Sequence, residues 1–206
     1  MLLAQAATIG DTEVQPVYVS TGLAWEAQER DTAARFAATL PRIRPVTALT
    51  VDMRDVYAAS HWAVRGEAPA FDTPDTDVYL PGRNIVLLSK AATYMGSIRS
   101  SRLWLGTLSD NPFPDGNRQF FDAMQRALSI GLGQTIVVET PLAGMHKADV
   151  IRLGASLGVQ FELTLSCMQP RDGRHCGRCS KCRERRDAFN EAGVPDRTEY
   201  ASAPLR

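Results

Sequence analysis

The chain has 206 residues and a formal net charge of zero, from 23 basic and 23 acidic side chains. This length suits one domain, or one domain with a small appendage, and its core needs no disulfide scaffold. The balanced charge argues against a protein that binds nucleic acid through a basic surplus. No apolar run approaches the roughly 20 residues that span a bilayer. The N-terminus lacks the basic segment of a signal peptide, so we expect a cytoplasmic protein with no membrane partner.

Short apolar strands alternate with helices along the chain. The pattern predicts strands over residues 16–20, 46–51, 103–107 and 136–138. It predicts helices over residues 1–10, 25–40, 80–96, 118–130, 147–157 and 183–192. Residues 60–80 contain repeated proline and aspartate turns and should form a long loop. This alternation predicts an α/β fold with a doubly wound, Rossmann-like parallel sheet, which binds ligands beside the carboxyl ends of its strands.

All four cysteines lie within 16 residues, in the pattern Cys167-x8-Cys176-x2-Cys179-x2-Cys182. Thiolates are soft ligands, and four of them complete the tetrahedral shell of a structural zinc ion with no open position for catalysis. Gly177 permits the tight turn that such spacing requires. Three alternatives stay open: unrelated buried thiols, a redox Cys-x-x-Cys pair and an iron–sulfur cluster. The basic run at 183–186 predicts a solvated helix face, and we expect no nucleic-acid partner.

Several stretches resemble, in order, the 7-cyano-7-deazaguanine synthase family of the ExsB type, within the ATP pyrophosphatase group. They are residues 80–84 (Leu-Pro-Gly-Arg-Asn), 111–115, 139–142 with 147–154, and 163–167 with 176–182. Pro-Gly-Arg-Asn combined with this cysteine spacing is specific, and the resemblance covers roughly residues 16–190.

The resemblance implies a Rossmann-like, adenine nucleotide alpha hydrolase-like domain at 1–160 and a zinc-binding segment at 161–206 packed on it. It implies conversion of 7-carboxy-7-deazaguanine, ammonia and ATP to 7-cyano-7-deazaguanine, through an adenylated carboxylate and an amide. Magnesium would accompany the triphosphate, and the zinc would be structural. Many relatives form homodimers, although no apolar stripe in this sequence demands one.

The resemblance also implies nucleotide-binding residues. Gly82, Arg83 and Asn84 would face the nucleotide or the substrate. A loop anchor with an asparagine helix cap is the structural alternative. Thr21 and Gly22 follow the first strand of this sequence and are placed to touch adenine, with a plain turn as the alternative.

Two further residues are candidates for the catalytic machinery. Lys147 stands at a helix start, where a cation gains nothing from the helix dipole, so a phosphate contact is favoured over an exposed lysine. Asp115 matches the aspartate of a family Tyr-Pro-Asp motif and would contact the substrate. The residues after it depart from the family, so a turn-forming aspartate stays open. His146 stands where the family usually has a capping serine and is not expected to be catalytic.

One family motif is not found in these 206 residues. It is Ser-Gly-Gly-x-Asp-Ser, whose backbone N–H groups cradle the pyrophosphate after the first strand. Three explanations compete. The sequence is an incomplete record of a longer protein, or a short inactive paralogue that acts as a zinc-stabilised binding module, or a differently organised active site. In a sheet of order 3-2-1-4-5, loss of the central first strand would leave two half-sheets.

Overall fold

The computed structural model describes residues 1–10 and 13–202. Its helices and strands, in chain order, are α1 (Leu2–Ala6), β1 (Val17–Ser20), α2 (Glu26–Ala37), β2 (Thr47–Thr50), α3 (Trp62–Arg65), α4 (Arg83–Ser97), β3 (Arg102–Trp104), α5 (Arg118–Leu132), β4 (Val137–Glu139), α6 (Lys147–Ser156) and α7 (Ser180–Ala192). Short 3-10 helices occur at Asp75–Val78, Pro114–Gly116 and Phe161–Leu163. In the part of the chain that the structure describes, no helix has both the length and the apolar character needed to cross a bilayer.

The predicted alternation of strands and helices is confirmed, although several boundaries differ and one predicted loop contains helical turns. The predicted long loop at 60–80 contains α3 and a 3-10 helix. His61 begins α3 by accepting the Ala63 N–H at its Nδ1 (3.2 Å), and Gly66 ends it with a left-handed φ of 75°. In addition, α1 stops at Ala6, and α7 begins at Ser180, earlier than predicted.

Met1 and the described residues of 3–74 and 147–206 form one compact unit. In it, β1 and β2 pair in parallel, with Val17 opposite Thr47, and α2 connects them. A hydrophobic cluster around Ala4, Phe36 and Val159 forms part of its core. The predicted boundary at residue 160 stays a prediction.

Leu2 and residues 75–146 form a second compact unit. Here β3 and β4 pair in parallel, with Arg102 opposite Val137. Five buried side chains from two helices and the β4 region form its core: Leu88, Met95, Phe121, Ile136 and Val138. The helix α5 adds Met124 and Leu128 to this cluster, because its apolar residues recur on one face at helical spacing.

Each of the two sheets has two strands, β1 with β2 and β3 with β4. The prediction of two half-sheets is therefore confirmed for the described residues. The strands are parallel and joined through helices, which gives the Rossmann-like α/β class that the sequence predicted. In the first unit, the candidate site residues Thr21 and Gly22 directly follow β1.

Candidate functional site

The four cysteine side chains converge in one buried cluster, as predicted. All four Sγ atoms lie within 4.8 Å of one another. The Sγ of Cys179 is 3.5 Å from that of Cys182 and 3.9 Å from that of Cys167, and Cys176 is 3.9 Å from Cys182. Zinc–sulfur bonds of about 2.3 Å in a tetrahedron place sulfurs about 3.8 Å apart. The cluster can therefore hold a metal ion such as zinc.

A tight hairpin folds the long spacer between the first two cysteines. Asp172 and Gly173 both have left-handed φ angles, 49° and 78°. The arginines on either side exchange backbone hydrogen bonds of 2.9 Å in both directions. Two consecutive positive φ angles define a type I′ turn, for which Asp-Gly is a favoured pair. The hairpin returns the chain so that the Cys176 N–H donates to Cys167 Sγ at 3.2 Å.

The last two cysteines are fixed by the start of α7. Cys179 precedes the first helical residue in an extended conformation, and the Cys182 N–H donates to its carbonyl at 3.0 Å. Gly177 has a φ of 80°, as its predicted turn requires, and a Cβ there would lie 2.6 Å from the Ser202 carbonyl oxygen. A side chain at this position would therefore displace the C-terminal segment that covers the cluster.

The thiols of the cluster ionise as a group. The hydrogen bond between Cys167 and Cys176 raises the pKa of Cys167 far above its ordinary value and lowers the pKa of Cys176 far below it. The backbone N–H of Gln169 also donates to Cys167 Sγ, at 3.3 Å. Closely packed sulfurs share protons because several bare thiolates would repel one another. A bound cation would replace those protons and hold all four residues as thiolates.

A buried arginine braces the chain behind the cluster. Arg185 is 7% exposed. Its Nε donates to Thr198 Oγ1 (2.6 Å), and its terminal nitrogens donate to Thr164 Oγ1 (2.9 Å) and the Phe161 carbonyl (3.0 Å). Burial lowers the pKa of Arg185, while the Asp196 carboxylate acts in the opposite direction. The guanidinium group thus joins α7 to the segments before and after it.

The prediction that residues 183–186 form a solvated helix face is wrong for this arginine. Arg185 faces the protein interior, and Arg186 lies over the rings of Phe71 and Tyr200 at 5.2 and 5.1 Å. A run of charged residues normally predicts an exposed helix face. Arginine can nevertheless be buried when its planar guanidinium group donates to several acceptors, and the sequence does not show those acceptors.

His175 packs beside the cluster in its neutral form. Burial and then the charge of Arg185 lower the pKa of His175 to about 4. Its Nε2 accepts the Ser166 N–H at 3.1 Å, so this nitrogen is engaged with the backbone. The residue therefore supports the loop that carries Cys167, and the four sulfurs complete the ligand set without it.

Lys147 begins α6 and is paired with the helix that follows the cysteine cluster. Its Nζ lies 2.5 Å from Glu184 Oε2, and Lys181 Nζ lies 2.7 Å from Glu184 Oε1. Glu184 follows Cys182 by two residues on α7. Its side chain is 12% exposed, whereas that of Lys147 is 38% exposed. Glu184 was not predicted from the sequence, because no local motif marks a carboxylate whose partner is 37 residues away.

The loop after β1 closes on a buried glutamate. Both carboxylate oxygens of Glu26 accept the Thr21 N–H (2.8 and 2.9 Å), one of them accepts the Thr21 hydroxyl (2.7 Å), and the other accepts the Gly22 N–H (3.0 Å). Glu26 is 4% exposed and begins α2. The two predicted adenine-contacting residues thus form one rigid turn. The role of Glu26 as the acceptor for this loop was not predicted from the sequence.

In the second unit, the structure brings Asn84 and Asp115 together. Gly82 precedes α4 with a φ of 75°, and Arg83 is the first helical residue. The Asn84 N–H donates to Asp115 Oδ2 (3.2 Å), and Asn84 Nδ2 donates to the Asp115 carbonyl (2.9 Å). Asp115 is 6% exposed. Its carboxylate therefore caps the first turn of α4 and holds the Pro-Gly-Arg-Asn loop in place.

Ser109, Asp110 and His146 form a cluster that superficially suggests nucleophilic catalysis. Both the Ser109 hydroxyl (3.2 Å) and the Asp110 carboxylate (2.7 Å) contact the same ring nitrogen of His146, Nδ1. A proton relay needs the serine and the carboxylate on different ring nitrogens. These contacts therefore do not form a proton relay of the triad type, and the expectation that His146 is not catalytic stays a prediction.

Comparison with known proteins gives a family. The sequence profile of the family described as "Queuosine biosynthesis protein QueC" matches residues 3–193. A protein named 7-cyano-7-deazaguanine synthase from Methanoculleus marisnigri is 33% identical over 195 residues, which are 91% of this chain and 87% of that protein. Proteins of the same name from Anaeromyxobacter dehalogenans and Caldicellulosiruptor saccharolyticus are 38% and 36% identical over 64% and 68% of this chain. The chain spans 58% and 63% of the length of those two relatives.

Proposed function

The chain belongs to the QueC family of queuosine biosynthesis proteins, and we propose that it makes 7-cyano-7-deazaguanine from 7-carboxy-7-deazaguanine, ammonia and ATP. The observation that carries the proposal is the family match across residues 3–193. The relatives' common name, 7-cyano-7-deazaguanine synthase, is consistent with an enzyme of the ligase kind.

The proposed reaction uses ATP twice. A carboxylate oxygen is a poor leaving group, so the substrate carboxylate first attacks the α-phosphorus of ATP and releases pyrophosphate. Ammonia then attacks the acyl carbon, AMP leaves, and an amide forms. In the second cycle the amide oxygen is adenylated in the same way. Loss of AMP and two protons from the amide nitrogen leaves the nitrile.

We propose that the cysteine cluster binds zinc in a structural role. Four thiolates fill a tetrahedral shell and leave no position for water or substrate. All four sulfurs lie within 4.8 Å of one another, which fits one ion and disfavours an iron–sulfur cluster, because such a cluster distributes its thiolates over several irons. Magnesium would accompany the triphosphate and offset its charge.

Several residues are proposed to contact the substrates. Lys147 binds phosphate oxygens with its ammonium group, and Asp115 contacts the deazapurine. Arg83 and Asn84, after Gly82, face the nucleotide or the substrate. The left-handed Gly82 and the Asp115 cap support these roles because they fix the backbone of this loop.

Thr21 and Gly22 are proposed to contact adenine through the shape of their turn. The polar groups that they present to Glu26 are already engaged, so the turn offers a rigid surface. A cytoplasmic location and a homodimeric assembly belong to the same proposal.

The proposal is tested with the native protein, zinc and magnesium. ATP, 7-carboxy-7-deazaguanine and an ammonium salt are supplied, and AMP, pyrophosphate and the nitrile are quantified by mass spectrometry. We expect two AMP molecules for each nitrile formed. The absence of AMP would overturn the proposal. Calorimetry that showed ligand binding without pyrophosphate release would then favour the zinc-stabilised binding module.

A further inference from the structure

We propose that Glu184 is a positioning residue for Lys147 and that it couples the metal centre to the proposed phosphate site. The inference rests on the proposed function, in which Lys147 binds phosphate. It starts from one observation: the Glu184 carboxylate lies between two ammonium groups, 2.5 Å from Lys147 Nζ and 2.7 Å from Lys181 Nζ.

The metal-binding segment fixes the place of this carboxylate. Cys179 lies just before α7, Cys182 is in its first turn, and Glu184 follows on the same helix. A metal ion held by these cysteines would therefore fix the helical turn that carries the glutamate. With only 12% of its side chain exposed, Glu184 is poorly screened by solvent ions, so its attraction to Lys147 is stronger than at an open surface.

An ion-pair partner restricts the position of a lysine ammonium group, which is otherwise poorly fixed. The lysine side chain has four flexible carbon–carbon bonds and a point charge without fixed direction. The ammonium group has three N–H donors, so it can bind the Glu184 carboxylate and phosphate oxygens together. The Lys147 side chain is 38% exposed, so a ligand can reach it from solvent. Glu184 thus limits the positions that Lys147 samples before a phosphate arrives.

A simple structural tie between α6 and α7 is the competing explanation, and the structure allows the two to be separated. Another bond joins the same helices: an Arg152 terminal nitrogen donates to the Glu191 carbonyl at 2.7 Å. This bond uses the backbone of Glu191, so it survives changes of either glutamate side chain. Removal of the Glu184 charge should therefore release Lys147 while α6 and α7 stay joined.

The activity test compares Glu184→Gln with Glu191→Gln, the same change at an exposed position of α7. We expect kcat/KM for ATP to fall about tenfold or more in Glu184→Gln, as misplacement of a binding group does, and to stay unchanged in Glu191→Gln. Zinc content should be equal in both variants. Glu184→Asp, which keeps the charge, should recover part of the loss. In a Lys147→Met background, Glu184→Gln should cause no further loss. Equal kcat/KM in Glu184→Gln and the parent, or losses that multiply in the double variant, would overturn the proposal.

A second readout does not depend on activity. The rate at which an acylating reagent labels Lys147 is measured by peptide mass spectrometry in the zinc-loaded native protein. We expect Glu184→Gln to raise this rate several-fold, because the paired carboxylate shields the Lys147 ammonium group from the reagent, whereas Glu191→Gln leaves the rate unchanged. An unchanged rate in Glu184→Gln overturns the positioning role, even if the parent makes no AMP. Failure to make AMP together with a raised labelling rate would overturn the proposed function and retain the Glu184–Lys147 coupling.

Discussion

Asn84 and Asp115 cap each other: the side chain of each residue bonds to the main chain of the other. The Asp115 carboxylate accepts the Asn84 N–H at 3.2 Å, and the Asn84 side-chain amide donates to the Asp115 carbonyl at 2.9 Å. The pair spans 31 residues and joins the Pro-Gly-Arg-Asn loop to the 3-10 helix Pro114–Gly116. Two sequence motifs of the predicted site thus form one structural unit.

Asp115→Ala should destabilise the protein by about 1–2 kcal/mol, because the first turn of α4 loses its capping acceptor. The same change at Asp187, an exposed position on α7, should alter the free energy of unfolding by less than about 0.5 kcal/mol. Urea denaturation of both variants measures the difference. Equal effects would contradict a capping role for Asp115.

Metal removal should unfold the C-terminal cysteine segment. Cys182→Ser, or a strong chelator at neutral pH, should abolish stoichiometric zinc and lower the thermal midpoint, because the thiolates then lose their common cation. Acid should act in the same direction: as the pH falls, protons compete with the metal for the thiolates, so zinc is released at low pH and retained at high pH. Metal analysis after dialysis across a pH series checks this, and zinc retained by Cys182→Ser at the parent's affinity would contradict it.

Arg185→Lys should cost about 3 kcal/mol of unfolding free energy, although it preserves the charge. An ammonium group cannot reproduce the three directions in which the guanidinium donates to Thr198, Thr164 and the Phe161 carbonyl. The matched control is Arg30→Lys on the exposed side of α2, where the change should cost less than about 0.5 kcal/mol. Similar losses of unfolding free energy in the two variants would show that Arg185 acts through its charge alone.

Two glycines with open space around them should respond in opposite directions to alanine. Gly173 has a φ of 78° and Gly131 lies in α5, and a Cβ at either position meets no atom within 4 Å. Gly173→Ala should destabilise by about 1 kcal/mol because a side chain disfavours the left-handed region. Gly131→Ala should stabilise by about 0.5–1 kcal/mol through helix propensity. Chemical denaturation of both variants decides, and a stabilising Gly173→Ala would contradict the type I′ turn.

Asp196 should contribute a stability that disappears in acid. Burial raises the pKa of Asp196, but hydrogen bonds from Thr198 and Tyr200 outweigh it and hold the pKa below its ordinary value. A carboxyl with a lowered pKa in the folded state stabilises the protein above the unfolded pKa of about 3.9, and this contribution is lost as the pH falls through the folded pKa. Asp196→Asn should therefore be less stable than the parent by a constant amount between pH 7 and 5. That difference should shrink below about pH 4. Metal release at low pH affects both proteins, so the free energies of unfolding of parent and variant are compared at the same pH. A difference that persists at low pH would show that the contribution of Asp196 does not depend on its negative charge.

The sequence predicted those features that depend on local pattern. Strands such as β1 and helices such as α5 follow from hydrophobic spacing, and the cysteine cluster follows from the spacing of four thiols. The Asp-Gly turn inside the long cysteine spacer carries a local signal too, since this pair is typical of type I′ turns. The helix α3 was missed because four residues show no period, and its start depends on the His61 side chain.

The features that the sequence did not predict depend on distant partners. Glu184 is defined by Lys147, and Arg185 by acceptors on both sides of it in the chain. In sequence, both residues belong to a run of charges that is typical of a solvated helix. Their burial follows from the packing of α7 onto neighbouring segments, which no local pattern encodes. The roles of Lys147, Asp115 and the Thr21 turn in nucleotide binding stay predictions.

The division of the chain into two compact units also sets an order of assembly during synthesis. The second unit is almost continuous, at residues 75–146, whereas the first is split between residues 3–74 and the stretch from 147 onwards. During synthesis, nearly all residues of the second unit therefore leave the ribosome before Cys167, the first cysteine. Domains generally fold as units during synthesis. The N-terminal part of the first unit therefore waits for its C-terminal part while the 72 residues from 75 to 146 are synthesised. We therefore expect binding of a metal ion by the four cysteines to be a late event, which completes the first unit.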